Sequence, residues 1–249
     1  PKVEIIGDYP NIYNIEFIDS RTNKVIYDET ISNNMWVCCS KKYYIPWIIK
    51  INGKVVEEFN LNNKNVLISF ESSAIGDTIA WFPYIEEFRK KHKCNITCKT
   101  WWNDWFKEDY PEISFVNPKE IIMGGDVCYK MGWFYNGEHS IDWDGDYHPN
   151  SFLPQPLQKT ASDILGLEYK EIKPSVKSLE FSSIKEKYVT VSIQSTSQCK
   201  YWNYPNGWEE VLNYLKKKGY KTVSVDKHSQ FGIKGVINNI PETDYNYNN

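Results

Sequence analysis

The stretch NVLISFESSAIGDTIAWFPYIEEFRKKHKC, residues 65–94, constrains the fold more than any other part of the sequence. An apolar run of strand length passes through a turn of small residues into a helical pattern, in which apolar residues recur every three positions. A second apolar run, NITCKT, follows directly at residues 95–100. A strand, a helix and a second strand in this order predict a βαβ unit, and therefore a parallel sheet.

The segments on either side of this unit predict further domains. Residues 1–62 contain short runs of Val, Ile, Tyr and Trp separated by turn signals, which predicts an all-β subdomain. Within it, Asn52-Gly53 predicts a two-residue hairpin, because both residue types tolerate a positive φ. Residues 63–180 predict a Rossmann-like domain, and residues 187–249 predict an incomplete second one, with two strands around one helix.

Local signals mark where the two later helices begin and end. Gly166 follows the helical pattern LQKTASDIL, and Gly219 follows the pattern GWEEVLNYLKKK, so each glycine predicts a helix end. Asn206 precedes Glu209 by three residues, which predicts a capping box at the start of the second of these helices.

Composition excludes some classes of function. The net charge is −3, with 29 Lys and Arg against 32 Asp and Glu, so no basic field favours nucleic acid or an anionic membrane. No apolar run reaches the ~18 residues of a membrane-spanning helix. The six cysteines form no CxxC pair, which favours reduced thiols in a cytoplasmic protein and no metal site. His139 and His148 lie in a polar, turn-rich stretch and are predicted to be surface residues.

Four stretches of the sequence resemble a known family. Together they are similar to the heptosyltransferase-like glycosyltransferases of family 9, and most closely to the autotransporter O-heptosyltransferases. The stretches are NNMWVCCSKKYYIPWIIKI, SAIGDTIAWFPYIEEFRKKH, LQKTASDILGLEYKEIKP and QSTSQCKYWNYPNGWEEVLNYLKKKGY.

The resemblance implies a GT-B fold, in which one Rossmann-like domain binds the acceptor and the other binds the nucleotide-sugar. It assigns the acceptor to residues 63–180 and the donor to residues 187–249. The implied reaction is inverting transfer of a heptose from an ADP-heptose to the hydroxyl of a protein serine or a glycan, often without a metal. The subfamily has a cysteine cluster that binds iron, but the six cysteines here are not at matching positions, so no metal or other cofactor is expected. A homo-oligomer is compatible with it. Since the chain is truncated relative to the family, the alternative is a catalytically incomplete GT-B-like binding or scaffold protein.

The resemblance assigns the catalytic role to Asp77. This residue matches the family's acidic residue at the strand-to-helix turn and is expected to take the proton of the acceptor hydroxyl as general base. The alternative is that Asp77 only caps the helix, as aspartate often does. Gly76 is expected to let the backbone turn tightly and let the substrate approach closely.

The resemblance places donor binding in the loop QSTSQCK. Lys200 matches the family's lysine that contacts the donor diphosphate, where a cation would act as negative charge develops on the leaving group. Ser195, Thr196 and Ser197 precede it and are expected to direct hydroxyl groups and backbone amides at phosphate. The alternative is a solvated surface loop.

Overall fold

The computed structural model describes residues 1–9, 11–122, 124–137, 141–176, 184–193, 195, 197–226 and 237–238. The chain separates into two compact units, Pro1–Ser178 and Leu179–Asn249. The first unit contains antiparallel β-sheets and a parallel β-sheet with helices, and the second unit contains a parallel β-sheet with a helix. The predicted α/β class with a β-rich start is confirmed. The predicted domain boundaries at residues 62, 63, 180 and 187 stay predictions.

The β-rich start forms two antiparallel sheets. Their strands are β1 Lys2–Ile5, β2 Ile12–Asp19, β3 Lys24–Ser32, β4 Met35–Cys38, β5 Trp47–Ile51 and β6 Lys54–Glu58. In the larger sheet the strand order is β3-β2-β5-β6, and in the smaller one β1 pairs with β4. The hairpin between β5 and β6 turns at Asn52 and Gly53, with φ of 50° and 76°, as predicted.

The predicted βαβ unit forms the centre of a four-stranded parallel sheet. The elements of this region are β7 Asn65–Phe70, α1 Ile75–His92, β8 Asn95–Lys99, α2 Asn103–Phe106, β9 Ile113–Val116, β10 Val127–Met131 and α3 Leu157–Ile164. The strand order is β10-β7-β8-β9. The sequence does not predict β10, because this edge strand buries only alternate side chains, Tyr129 and Met131, and its five residues carry a weak apolar signal.

Helix α1 is buried around most of its circumference. Phe82, Ile85 and Phe88 are fully buried, as their spacing predicts. Trp81 and Tyr84 are fully buried as well, although they lie outside the predicted apolar stripe. The Trp81 indole N–H donates to the carbonyl of Leu157 at 2.9 Å, and the Tyr84 hydroxyl donates to a carbonyl beyond α3. Helix α3 and the segment after it therefore cover a second side of α1.

The end of α3 depends on Gly166. The residue has φ of +59°, the N–H of Gly166 donates to the Asp163 carbonyl, and the N–H of Leu167 donates to the Ser162 carbonyl. This pair of bonds is a Schellman motif, which confirms the predicted helix end. A Cβ at Gly166 would also lie 2.3 Å from Cδ1 of Tyr44. Both the backbone conformation and the neighbouring ring therefore require glycine here.

The elements of the second unit are β11 Tyr188–Val191, a 3-10 turn at Gln198–Lys200, α4 Gly207–Lys217, β12 Lys221–Ser224 and β13 Ile237–Asn238. The strands form a parallel sheet with the order β11-β12-β13, and β13 lies in a polar region where the sequence predicts no strand. The predicted capping box at the start of α4 is wrong, because Asn206 has φ of 57° and makes no side-chain cap bond. Gly219, with φ of +79°, ends α4 as predicted.

His148 is a core residue, and its predicted place on the surface is wrong. Only 1% of the residue is exposed, and its Nε2 accepts the backbone N–H of Phe134 at 3.3 Å. Burial lowers the pKa of His148 to about 4, so the imidazole is neutral and can accept this bond. His139 lies outside the described residues.

No helix in the described ranges combines the length and apolar character needed to cross a membrane.

Replacement of Gly166 by alanine should destabilise the first unit more than the same replacement at Gly53. Gly53 also has a positive φ, of 76°, but nothing lies within 4 Å of its missing Cβ. Gly53→Ala should cost about 1–2 kcal/mol for the left-handed conformation. Gly166→Ala should add about 1–3 kcal/mol, because the methyl group overlaps Tyr44. Urea unfolding of both variants measures this, and equal losses would contradict the steric argument.

The buried state of His148 makes stability depend on pH. An unfolded imidazole binds a proton near pH 6.5, whereas folded His148 resists protonation until about pH 4. Its contribution to the free energy of unfolding is therefore complete above about pH 6.5 and is lost as the pH falls towards 4, by up to about 1.4 kcal/mol per pH unit.

We expect His148→Gln, which retains an acceptor for the Phe134 N–H, to flatten the stability curve in this range. Burial likewise lowers the pKa of His92 to about 4, so adding His92→Gln should flatten the curve further. Denaturant unfolding from pH 7 to pH 4.5 checks both variants. Identical slopes for the wild type and His148→Gln would show that His148 is not buried in its neutral form.

Candidate active site

The parallel sheet of the first unit has a point where the order of its strands reverses. From β7 the chain continues to β8 and β9 on one side, whereas β10 pairs with β7 on the other. Both pairings are parallel, so the carboxyl ends of β7 and β10 lie side by side. Ligands of open α/β sheets bind in the crevice outside the carboxyl ends of strands at such a switch point.

Asp77 lies beside this switch point. It is the third residue of α1 and is half-buried. Its Oδ2 accepts the indole N–H of Trp133 at 2.9 Å and the hydroxyl of Ser72 at 3.4 Å. Within the described part of the chain, Oδ1 has no hydrogen-bond partner. One carboxylate oxygen is therefore held in place, and the other keeps its lone pairs for a ligand.

The start of α1 does not use Asp77 as its cap. The N-cap residue is Ala74, with extended backbone and no side-chain cap bond. The Ser72 hydroxyl accepts the N–H of Ala74 at 3.1 Å. The Asp77 carboxylate bonds to Trp133 and Ser72 instead of to the first amides of the helix, so capping does not account for its position.

Gly76 lies in the first turn of α1 and does not have a positive φ. The backbone at Gly76 is helical, so it does not form the tight turn that the sequence predicts. A Cβ at this position would meet nothing within 4 Å, so the space over Gly76 itself is open. Close approach of a substrate over Gly76 stays a prediction.

The loop that precedes α1 is fixed by both neighbouring strands. The N–H of Glu71 donates to the carbonyl of Met131, at the end of β10, at 2.9 Å. The indole N–H of Trp102, which follows β8, donates to the carbonyl of Ser73 at 2.9 Å. The segment leading to Asp77 is thus tied on two sides.

Trp133 is a site residue that the sequence reasoning missed, because β10 was not predicted. Its ring packs edge-on against Trp81, with centroids 5.1 Å apart, and against Phe152, with centroids 4.8 Å apart. The signal that could have found it is the short apolar run VCYKM followed by Gly132. That run would have placed Trp133 at the same sheet edge as Asp77.

The loop QSTSQCK lies in the second unit, after β11. Ser195 is half-buried, whereas Ser197 and Lys200 are exposed, and Thr196 lies outside the described residues. The backbone N–H of Lys200 donates to the carbonyl of Ser197 at 3.1 Å, in the 3-10 turn. With the residues that the structure describes, the Lys200 ammonium group forms no ion pair, so it can receive an anionic ligand.

Buried Asp226 fixes the base of this loop. It follows β12, and its carboxylate accepts the hydroxyl of Ser192 at 2.7 Å and the backbone N–H of Ile193 at 2.8 and 2.9 Å. Sequence reasoning did not single out Asp226. Its position directly after an apolar strand is the signal that could have found it.

Comparison with known proteins agrees with this architecture. The chain is 33% identical over 240 residues to the autotransporter heptosyltransferase Aah of Escherichia coli, covering 92% of this chain and 59% of the relative. It is 28% identical to the inactive autotransporter heptosyltransferase BimC of Burkholderia thailandensis, covering 87% and 52% of the two chains. No family model matches the sequence.

A solved relative has the same fold. The chain matches a crystal structure of TibC from enterotoxigenic E. coli, a dodecameric iron-containing heptosyltransferase in complex with ADP-D-β-D-heptose. The TM-score is 0.79 at 28% identity, over 97% of this chain and 63% of TibC. The chain thus spans less than two thirds of the length of each of these relatives.

The iron of TibC corrects the expectation that no metal or cofactor is involved, since this group of proteins includes an iron-containing member. The residues described here do not fit an iron site. No group of three or more His, Cys, Asp or Glu side chains among them could hold a metal. Burial also raises the pKa of the Cys94 and Cys98 thiols, which disfavours the thiolate form that binds metals.

The sequence similarity extends over nearly the whole of this chain, and the solved relative shares its fold. The switch-point site and the loop of the second unit lie within these matched regions. This chain is therefore a homologue of the autotransporter heptosyltransferases and has their GT-B-like fold.

Proposed function

We propose that this protein transfers a heptose from an ADP-heptose to the hydroxyl of a protein serine or a glycan, with inversion at the anomeric carbon. The observation that carries the proposal is the half-buried Asp77 carboxylate, held through one oxygen at the switch point of the sheet. The heptosyltransferase relatives, and TibC in complex with ADP-D-β-D-heptose, support heptose as the sugar.

Asp77 acts as the general base in this proposal. The acceptor oxygen forms a bond to the anomeric carbon, and its proton passes to Oδ1 of Asp77. The bond between the anomeric carbon and the β-phosphate oxygen breaks, and its electron pair leaves with ADP. A single displacement of this kind inverts the anomeric centre. Because Oδ1 has no hydrogen-bond partner among the described residues, it is the oxygen that receives the proton.

Lys200 binds the donor diphosphate. The negative charge on the diphosphate increases as the sugar–phosphate bond breaks, and a cation already in place stabilises that change. A charge-assisted hydrogen bond of this kind contributes about 1.5–3 kcal/mol. The hydroxyls of Ser195, Thr196 and Ser197 serve the same diphosphate, and the anchor at Asp226 keeps the start of their loop in place.

The second candidate is a GT-B-like binding or scaffold protein that lacks catalysis. The similarity to BimC, an inactive autotransporter heptosyltransferase, favours this second candidate. Incubation of the protein with ADP-heptose and a serine-containing acceptor, followed by intact-mass spectrometry, separates the two candidates, because only an enzyme adds heptose.

TibC is dodecameric, and we infer that this protein self-associates too.

Replacement of Asp77 by asparagine should reduce heptose transfer by roughly 10²–10⁴-fold, because the variant cannot accept the acceptor's proton. Asp104→Asn is the matched control, since Asp104 lies in the first turn of α2 and its side chain is 84% exposed. Transfer rates and melting temperatures of both variants provide the test. Near-normal turnover by a folded Asp77→Asn variant would refute the base assignment.

Replacement of Lys200 by alanine should raise KM for ADP-heptose by about tenfold or more, with little change in KM for the acceptor. The physical reason is the loss of one cation from the diphosphate. Lys217→Ala, an exposed lysine in the last turn of α4, is the matched control. Steady-state kinetics with each substrate varied in turn measure both constants. Equal effects on donor and acceptor would place Lys200 outside the donor site.

A further inference from the structure

We propose that Trp133 is the positioning residue of the reaction, which fixes the Asp77 carboxylate through Oδ2 and leaves Oδ1 to take the proton. The inference rests on the proposed function of Asp77. It starts from the 2.9 Å bond between the indole N–H and Oδ2, which joins residues 56 positions apart in the sequence. The contact is therefore a tertiary one that local sequence does not determine.

The χ2 torsion of an aspartate, which rotates its carboxylate, has a broad distribution. Packing alone therefore does not decide which carboxylate oxygen faces a substrate. A directional N–H donor removes this freedom. Trp133 and Ser72 both donate to the same oxygen, with Trp133 at the shorter distance. The two carboxylate oxygens are thereby made unequal before any substrate binds.

The indole is itself held firmly. Its ring lies between Trp81, at 5.1 Å, and Phe152, at 4.8 Å, both in edge-on contact. The next residue, Phe134, donates its backbone N–H to His148 and accepts the N–H of Asp144 at 2.8 Å. Trp133 therefore presents its N–H from a fixed ring on a fixed backbone, as a preorganised site requires.

A merely structural Trp133 would predict different results. A partly buried indole usually finds a hydrogen-bond acceptor, so the bond could serve stability alone. Loss of the N–H would then lower the melting temperature and leave turnover unchanged. If Trp133 positions the base, its loss should reduce kcat at nearly constant KM, because substrate binding is retained while the reacting geometry is not.

The contact is tested first by NMR of the indole N–H groups in the ¹⁵N-labelled chain. Trp133→Phe identifies the Trp133 signal by its disappearance. Asp77→Asn should shift this signal strongly, because a neutral amide replaces the charged acceptor, whereas Asp104→Asn should leave it unchanged. A Trp133 signal that does not respond to Asp77→Asn would overturn the proposal.

The role in catalysis is tested by kinetics. Trp133→Phe should reduce kcat for heptose transfer by about 10–100-fold, with both KM values within about twofold of the wild type. Trp36→Phe is the matched control, because it removes the indole N–H of an exposed tryptophan in β4, away from Asp77. Phe152→Leu is the packing control, since it removes a ring beside Trp133 and keeps the N–H. Trp36→Phe should lose less than about threefold in kcat, and Phe152→Leu, which loosens the ring but keeps the N–H donor, should lose less than Trp133→Phe.

The outcomes separate the two proposals. Normal kcat for Trp133→Phe in an active protein, or equal losses for Trp133→Phe and Phe152→Leu, would overturn the positioning role and leave the proposed function standing. Absence of transfer by the wild type, with a donor and acceptor that TibC uses as a positive control, would overturn the proposed function and the positioning role with it.

Discussion

The pairing of β10 with β7 is the interaction on which the candidate site of the first unit depends. It brings the end of an edge strand next to the end of the central strand, and so creates the switch point of the sheet. The Glu71–Met131 hydrogen bond extends the same pairing into the loop before α1. Without β10, Asp77 would have no indole donor, and the space beside it would be bounded by one strand end instead of two.

Helix α1 can carry this site because its burial is much larger than its local signals suggest. Burying an aromatic side chain of 150–250 Å² contributes about 4–6 kcal/mol before entropy, whereas a hydrogen bond contributes about 1 kcal/mol. The bonds of Trp81 and Tyr84 to carbonyls of the α3 region thus satisfy polar groups, and the burial of the rings supplies most of the stabilisation. A helix covered on two sides holds its first turn, and with it Asp77, in a defined place.

Features set by neighbouring residues could be predicted from the sequence, and features set by distant ones could not. The central βαβ unit, the Asn52-Gly53 hairpin and the end of α3 follow from local patterns, and all are confirmed. Strand β10 and the burial of His148 depend on partners far along the chain, so the local pattern did not reveal them. Asp77 was identified through resemblance, whereas its partner Trp133 became visible only with the sheet order.

The distances along the chain between paired strands also bear on the order of folding. The pairing of β7 with β8 joins residues 30 positions apart, whereas the start of β7 meets the residue before β10 across 61 positions. Each doubling of a loop adds about 0.6 kcal/mol to the entropic cost of its closure. We therefore expect β10 to dock late, on a β7–α1–β8 nucleus that already exists, which pulse-labelled hydrogen exchange during refolding can follow. Asp77 would then be in place early, and its hydrogen bond with Trp133 would form in the last stage of folding.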